Sequence, residues 1–270
     1  MGGSRALLKA GAAIGLALAL GMGCAVEKKA KKFVKECVLP EDQSGTLTGR
    51  WPVLPVEVSL QTGSWGSAEQ TLLTTAADSW NTFYESVHDF TLLKYDTEGA
   101  INQSSASVPD PLCTSSILQN DQFTGTVVIY KLGAWPHDQG IIALTTICPV
   151  ADTPLPRFYM AIMEVNYQNF FISGKKIPDL QSIVLHELGH LIGLDHSCEA
   201  FQKTGMPDCR ADGLDADYVN ASMFPIFFFP NNVNGEIKRE LKDNDQGRAN
   251  CIYADILGET GGTGTSRTSP

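Results

Sequence analysis

Five short apolar segments in the middle of the chain have the pattern of β-strands. Residues 51–60 alternate apolar and polar side chains, which is the period of a half-buried strand. Residues 126–132 are mostly β-branched and apolar, as in a buried strand. On this basis we predict strands over residues 51–60, 90–95, 126–132, 140–147 and 158–165.

Helical periodicity appears in three other segments. Residues 67–86 place apolar side chains on one face, and a second helix begins at Pro178 or Asp179 and ends at Gly193. A third helical pattern extends over residues 235–256, whereas residues 96–123 are rich in Ser, Asn, Asp and Pro and predict a long loop. Strands come first and helices are few, so the predicted class is α+β.

The N-terminus has the composition of an export signal. Arg5 and Lys9 precede an uncharged apolar run over residues 10–22, which is too short to span a bilayer comfortably. The small residues before Cys24 resemble the lipobox of bacterial lipoproteins, although that pattern prefers Leu where Gly21 stands. We expect lipidation of Cys24, with simple cleavage nearby and an uncleaved anchor as the alternatives.

The domain organisation and location follow from this signal. We predict a lipoprotein-type signal peptide over residues 1–23, a basic tether over 24–49, one folded domain over 50–257 and a disordered tail over 258–270. The protein is then exported to the cell envelope. A lipid anchor would hold it in a membrane, on the periplasmic side or the cell surface; without the anchor it would be secreted.

The charge balance argues against a nucleic-acid partner. Beyond Lys35 the chain has 13 Lys and Arg residues against 29 Asp and Glu residues. A domain with this net negative charge repels the phosphate backbones of nucleic acids. We expect a monomer that binds no nucleic acid.

Seven cysteines in an exported chain indicate disulfide bonds. If Cys24 is lipidated, six remain, and six cysteines allow 15 connectivities. Cys198 and Cys209 are close in sequence and flank one loop, so we expect them to pair. For the remaining four cysteines we expect the pairs Cys113–Cys148 and Cys37–Cys251.

The segment IVLHELGHLIGLDHS has the spacing of a catalytic metal site. His186 and His190 are four residues apart, so a helix places both imidazoles on one face. Gly193 permits a sharp turn, after which His196 can return as a third ligand. Three protein ligands leave one position open, which is typical of catalytic rather than structural zinc. Glu187 follows the first ligand and can act there as general base.

These residues resemble the metzincin zinc metalloproteases. HELGHLIGLDH is similar to the zinc-binding pattern of that family, and Ser222-Met223-Phe224-Pro225 resembles the Met-turn of its matrixin branch. Ser197, directly after the third His, also fits matrixins, and Pro225 stands where other branches have a Tyr ligand. The resemblance extends over about residues 50–257. It implies a metzincin fold, which has a mixed twisted sheet, an active-site helix, an N-terminal helix and a C-terminal helix.

The resemblance also implies roles for residues outside the zinc motif. Met223 would form an apolar floor under the ligands, and Phe227, Phe228 and Phe229 would form the wall of the main substrate pocket, with plain core packing as the alternative. Residues 158–165 would be the edge strand that binds an extended peptide, or else a core strand.

The chain departs from matrix metalloproteinases at two sites. The region before residue 50 is too short for their pro-segment, so a cysteine switch is not expected. Only His88 and His137 remain for a second, structural zinc, so that site is not expected either. One catalytic Zn²⁺ is the implied cofactor, and Ca²⁺ bound by loop carboxylates stays open.

Two functions are consistent with the sequence. The first is a zinc-dependent endopeptidase that cleaves extended protein or peptide substrates. The alternative is a catalytically silent, zinc-containing lipoprotein that binds peptides or a protein partner. Glu187 favours the first, because a purely structural site has no use for a general base.

Overall fold

A five-stranded mixed sheet is the centre of the molecule in a computed structural model, which describes residues 32–96, 126–150, 155–200 and 203–258. The strands are β1 (Val56–Leu60), β2 (Leu93–Asp96), β3 (Thr126–Leu132), β4 (Ala143–Val150) and β5 (Arg157–Asn166). Their order in the sheet is β2-β1-β3-β5-β4. β4 is antiparallel to β5, and the other neighbours are parallel.

Four helices accompany the sheet in the described ranges: α1 (Ser67–His88), α2 (Leu180–Ile192), α3 (Ala216–Asn220) and α4 (Asp243–Gly258). The main core contains residues of β1, β3, β5, α1, α2 and α4. Within it, the buried Trp80 of α1 donates a hydrogen bond from Nε1 to the Leu185 carbonyl of α2 at 3.1 Å. This hydrogen bond joins α1 to α2.

A mixed sheet with a few helices agrees with the predicted α+β class, but several element boundaries differ, two of them by five residues or more. The first strand begins at Val56 rather than at residue 51. The last helix begins at Asp243 rather than at residue 235. Residues 235–242 are not helical because their backbone bonds elsewhere: Gly235 N donates to Ile177 O at 2.9 Å, and Lys238 N donates to Ser182 Oγ at 2.8 Å.

Of the two alternatives predicted for residues 158–165, the structure has the core strand and not the edge strand. β5 pairs with β3 on one side and with β4 on the other, so its backbone groups are already used. β4 has β5 as its single neighbour among the described strands. Its Pro149 suits an edge position, because proline cannot donate to a sheet ladder.

Residues 33–49, which fall within the predicted tether, pack against the folded domain. Phe33 and all later described residues belong to one compact unit. The predicted disulfide Cys37–Cys251 is present and joins this segment to α4, and Gln43 is fully buried. The predicted pair Cys198–Cys209 is also present.

Several predictions concern residues outside the described part of the chain. The signal peptide with Cys24, the start of the tether, Cys113 and almost all of the long loop and the tail are among them. Among the described residues, no helix has the length and apolar character that crossing a membrane requires.

Candidate metal centre

Helix α2 presents two of the three predicted ligands. Its N-cap is Asp179, whose side chain accepts a hydrogen bond from Ser182 N at 2.9 Å, and its apolar residues are buried against the sheet and α1. One turn apart on this helix, His186 and His190 bring their Nε2 atoms to 3.1 Å from each other. The helical spacing therefore places the two rings as the sequence predicts.

The hydrogen bonds of these two rings leave their Nε2 atoms free to bind a cation. His186 Nδ1 lies 2.7 Å from Ser222 O, and His190 Nδ1 lies 2.8 Å from Leu194 O. A carbonyl oxygen only accepts, so each Nδ1 carries the proton and each neutral ring keeps its lone pair on Nε2. Two lone pairs 3.1 Å apart repel each other, whereas a metal ion between them would bind both.

His196 completes the cluster from outside the helix. Gly193 ends α2 with φ 116°, and the chain then returns so that the His196 ring centroid lies 5.3 Å from that of His186 and 4.7 Å from that of His190. The ligand atoms of the three histidines can hold a metal ion. Within the part of the chain that the structure describes, no fourth protein ligand joins the three imidazoles, so one position is open, which fits a catalytic rather than a closed site.

Burial keeps the imidazoles of His186 and His196 neutral. It lowers the pKa of His186 well below the usual value, and the neighbouring rings His190 and His196 act in the same direction. Burial is the largest and the nearby His190 the second of the causes that lower the pKa of His196, to about 3. Neutral imidazole is the form that binds metals, so the site is ready for a ligand role near neutral pH.

The predicted general base lies beside the cluster. Glu187 is buried in α2, and its Oε2 accepts a hydrogen bond from Thr145 Oγ of β4 at 2.7 Å. Burial raises the pKa of Glu187, although His190 and the Thr145 hydroxyl act against that rise. The edge strand thus orients the carboxylate toward the cleft that it lines.

Met223 packs against α2 at Gly189, the residue before His190, and has no exposed surface. The Met223 sulfur packs so closely on α2 that a Cβ at Gly189 would lie 2.2 Å from Sδ. The buried Asp245 of α4 fixes this turn, because it accepts hydrogen bonds from Ser222 N at 2.7 Å and Met223 N at 3.1 Å. Met223 therefore packs against the helix that carries His186 and His190, and its role as a floor under the ligands stays a prediction.

A cleft of about 1540 Å³ runs over the histidines and Glu187. One wall is the edge strand β4 with the residues before it, and the other wall is built from residues 169–177 and 224–233. Phe227 and Phe229 line the cleft, as predicted. Phe228 is not among the lining residues; it is 49% exposed, and its ring stacks on that of Phe224 with the centroids 6.4 Å apart.

The two remaining histidines have partners away from the cluster. His88 Nε2 lies 2.8 Å from Asn250 Oδ1, and His137 Nε2 lies 3.1 Å from Glu164 Oε2. A second group of potential metal-binding side chains consists of Asp195, His196 and Glu199, which shares His196 with the first. It surrounds the outer side of the His196 ring and forms no separate centre.

Sequence reasoning did not identify Thr145, Asp245 or Gln43 as residues that support the site. Each acts through a contact that joins distant parts of the chain, and no local motif marks any of them. No protein-family model matches the chain, and a search of curated proteins returns no similar sequence. The function therefore has to be argued from the residues of the site and their geometry.

Proposed function

We propose that the protein is a zinc-dependent endopeptidase of the metzincin class, matrixin-like in its Met-turn. The observation that carries the proposal is the convergence of three imidazoles, two of them with Nε2 atoms 3.1 Å apart, next to a buried carboxylate. Imidazole ligands favour zinc over calcium or magnesium, which prefer oxygen. The five-stranded sheet and the packing of Met223 against α2 support the same class.

His186, His190 and His196 would hold the zinc ion. When bound there, zinc would polarise the carbonyl of the scissile peptide and make an attacking water molecule more acidic. Glu187 accepts the proton of that water at its carboxylate and passes it to the leaving amine. Its raised pKa brings its basicity closer to neutral pH, and Thr145 holds the carboxylate in one orientation while both proton transfers take place.

The edge strand β4 provides the place for an extended substrate. It lines the cleft, and within the described residues its outer edge has no neighbouring strand, so a peptide can pair with it by β-augmentation. If the peptide runs antiparallel to β4, its residues after the scissile bond enter the part of the cleft lined by Phe227 and Phe229. Large apolar side chains are the expected occupants of that part.

The same proposal includes the protein's cellular location. The described residues include the disulfides Cys37–Cys251 and Cys198–Cys209, which indicate an oxidising environment. We propose an exported monomer that is anchored through Cys24 in the cell envelope, where its substrates would be proteins or peptides. Calcium has no assigned site among the described residues.

Peptide hydrolysis by purified protein tests the proposal. Wild-type protein should cleave a broad peptide library, and a zinc chelator should abolish the activity until zinc is restored. Glu187→Gln should lower kcat by about 10²–10⁴-fold, the usual contribution of a general base, while zinc stoichiometry stays at one. Glu57→Gln is the matched control, because Glu57 is an exposed carboxylate on β1 that pairs only with Lys94.

Two outcomes would contradict the proposal. Full activity of Glu187→Gln, or activity that survives complete removal of zinc, would exclude the mechanism. Stoichiometric zinc binding without hydrolysis of any library peptide would favour the silent, peptide-binding lipoprotein instead.

A further inference from the structure

An N-terminal segment lies against the chain that carries the third histidine. Thr48 N donates to Gly193 O at 2.8 Å, and Asp195 N donates to Thr46 O at 2.7 Å. Between these bonds, Leu47 and Leu194 form an antiparallel bridge. We call residues 43–48 the N-terminal clasp. It follows the chain from the end of α2 almost to His196.

Gln43 extends this contact past the histidine. Its side chain is fully buried, and its Nε2 donates to Ser197 O at 2.6 Å. At the other end of the amide, Asn244 Nδ2 donates to Gln43 Oε1 at 2.7 Å. Because its oxygen and nitrogen have different fixed partners, the amide has one favoured orientation. Gln43 thus ties the residue after the third ligand to the start of α4.

The orientation of His196 depends on its backbone more than that of the other two histidines. His186 and His190 belong to a helix, and each ring is also fixed by a carbonyl at Nδ1. The buried Nδ1 of His196 has no hydrogen-bond partner among the described residues. The carboxylates of Asp195 and Glu199 approach it no closer than 3.9 and 3.7 Å, which is too long for a hydrogen bond.

The restraints on the His196 backbone come from distant parts of the chain. The clasp holds residues 193–197 on one side, and the buried Arg248 of α4 donates to Asp195 O at 3.0 Å. Ser197 N donates to Met223 O at 2.8 Å. Cys37–Cys251 and Val38 N to Gly247 O at 3.0 Å anchor the chain just before the clasp. The clasp is therefore a fixed support, continuous with α4.

We propose that Gln43 is a positioning residue for the metal centre, which acts through the Ser197 carbonyl to hold His196 in ligand geometry. The inference rests on the metal site of the proposed function, but it does not require peptidase activity. A support of this kind changes metal affinity more than it changes the stability of the metal-free fold.

The test is zinc affinity, measured by competition with a chromophoric chelator on the purified full-length protein. Gln43→Met keeps the approximate volume of the side chain and removes its hydrogen bonds to Ser197 O and to the Asn244 side chain. Loss of groups that orient metal ligands costs roughly 10–100-fold in affinity, and we expect about tenfold weaker zinc binding here. Visible spectra of the cobalt-substituted protein should change as well, because they report the ligand geometry directly.

Tyr84→Phe is the matched control. Tyr84 Oη donates to Ala249 O of α4 at 2.9 Å, so this variant also removes a buried side-chain bond to a carbonyl, but away from the histidines. It should lower the thermal stability of the metal-free protein while leaving zinc affinity and the cobalt spectrum unchanged. Equal zinc affinity of Gln43→Met and wild type, or an equal loss in both variants, would overturn the proposal.

Asn244→Ala provides a second variant if Gln43→Met does not fold. Asn244 is half-buried at the start of α4, and its loss frees the Gln43 amide to rotate. Zinc affinity should fall in the same direction by a smaller factor, and an unchanged affinity would count against the proposal. If wild-type protein binds zinc but cleaves no peptide, the proposed function fails while the affinity comparison still decides this inference.

Discussion

The two halves of the histidine cluster are held in different ways. His186 and His190 lie one turn apart on α2, and their relative position is set by helix geometry. His196 lies on a segment without regular secondary structure, and the clasp, Arg248 and the Met223 turn hold its backbone. A single element thus provides two ligands, whereas the third depends on contacts between segments far apart in the chain.

This difference predicts which substitutions affect which half. Changes at the start of α2 should act on the helical pair through helix stability. Changes in the clasp or at Gly193 should act more strongly on His196 than on the helical pair, of which His190 alone contacts the clasp region, through Leu194 O. Asp245 contacts the turn on which both halves depend, so its loss should have the largest effect.

Asp245→Ala should destabilise the protein most. The buried carboxylate accepts hydrogen bonds from Ser222 N, Met223 N and Lys242 N. Ser222 O in turn fixes His186, and Met223 O accepts from Ser197 N beside His196. Removing the carboxylate leaves these donors without their partner next to the buried Arg248, and the expected loss is about 3–5 kcal/mol of unfolding free energy. Urea unfolding of the metal-free protein measures it.

Asp243→Ala is the control for this loss. Asp243 is exposed in the first turn of the same helix, where a carboxylate contributes only a few tenths of a kcal/mol to about 1 kcal/mol. Similar urea midpoints for the two variants would show that Asp245 does not hold the turn on which the helical pair and His196 both depend.

Gly193→Ala should affect the His196 half selectively. Gly193 has φ 116°, and a Cβ there would lie 2.0 Å from the carbonyl oxygen of Gly49, next to the clasp. Because the backbone must move to accommodate this Cβ, the free energy of unfolding should fall by about 1–3 kcal/mol, and zinc binding should weaken. Unfolding and zinc competition, measured on the same preparation, give both quantities.

Gly213→Ala separates backbone strain from this collision. Gly213 also has a positive φ, 80°, but a Cβ there would meet nothing within 4 Å. The substitution should lower the free energy of unfolding by about 1–2 kcal/mol, because alanine is strained in the left-handed conformation, and it should leave zinc affinity unchanged. If Gly213→Ala weakened zinc binding as much as Gly193→Ala, the contact with the clasp would be irrelevant.

The same division explains what could be predicted from the sequence. His186, Glu187, His190 and His196 lie within eleven residues, so spacing and helix periodicity suffice to group them. Thr145 and Gln43 reach the site from 42 and 154 residues away. A single sequence does not show such contacts, because they depend on how the strands and segments pack.

The alternative left open for residues 158–165 and the wrong helix start at residue 235 have a related cause. Residues 158–165 are apolar on both faces, a pattern common to central strands of parallel sheets, but strand order is not encoded in any one segment. Residues 235–242 contain apolar residues at helical spacing, yet Gly235 and Lys238 bond to Ile177 and Ser182. Tertiary hydrogen bonds there override a weak local preference.

The smallest predicted effect concerns the helical half. Asp179 caps α2 through Ser182 N, and Arg239 Nε donates to Asp179 Oδ1 at 2.8 Å. Asp179→Ala should cost about 0.5–2 kcal/mol of unfolding free energy, as expected for loss of an N-cap. Asp179→Asn keeps a capping oxygen and removes the charge, so at neutral pH its loss should be the smaller of the two.

The pH dependence of stability distinguishes the charge of Asp179 from its capping role. Burial acts to raise the pKa of Asp179, but the hydrogen bonds from Arg239 and Ser182 outweigh it and hold that pKa below its usual value. The carboxylate therefore stabilises the fold fully above the unfolded pKa of about 4, and this contribution is lost as the pH falls through the lower folded pKa. The wild type should lose its advantage over Asp179→Asn in that window. A stability difference that stays constant from pH 7 to pH 2 would mean that the cap holds α2 without help from the charge.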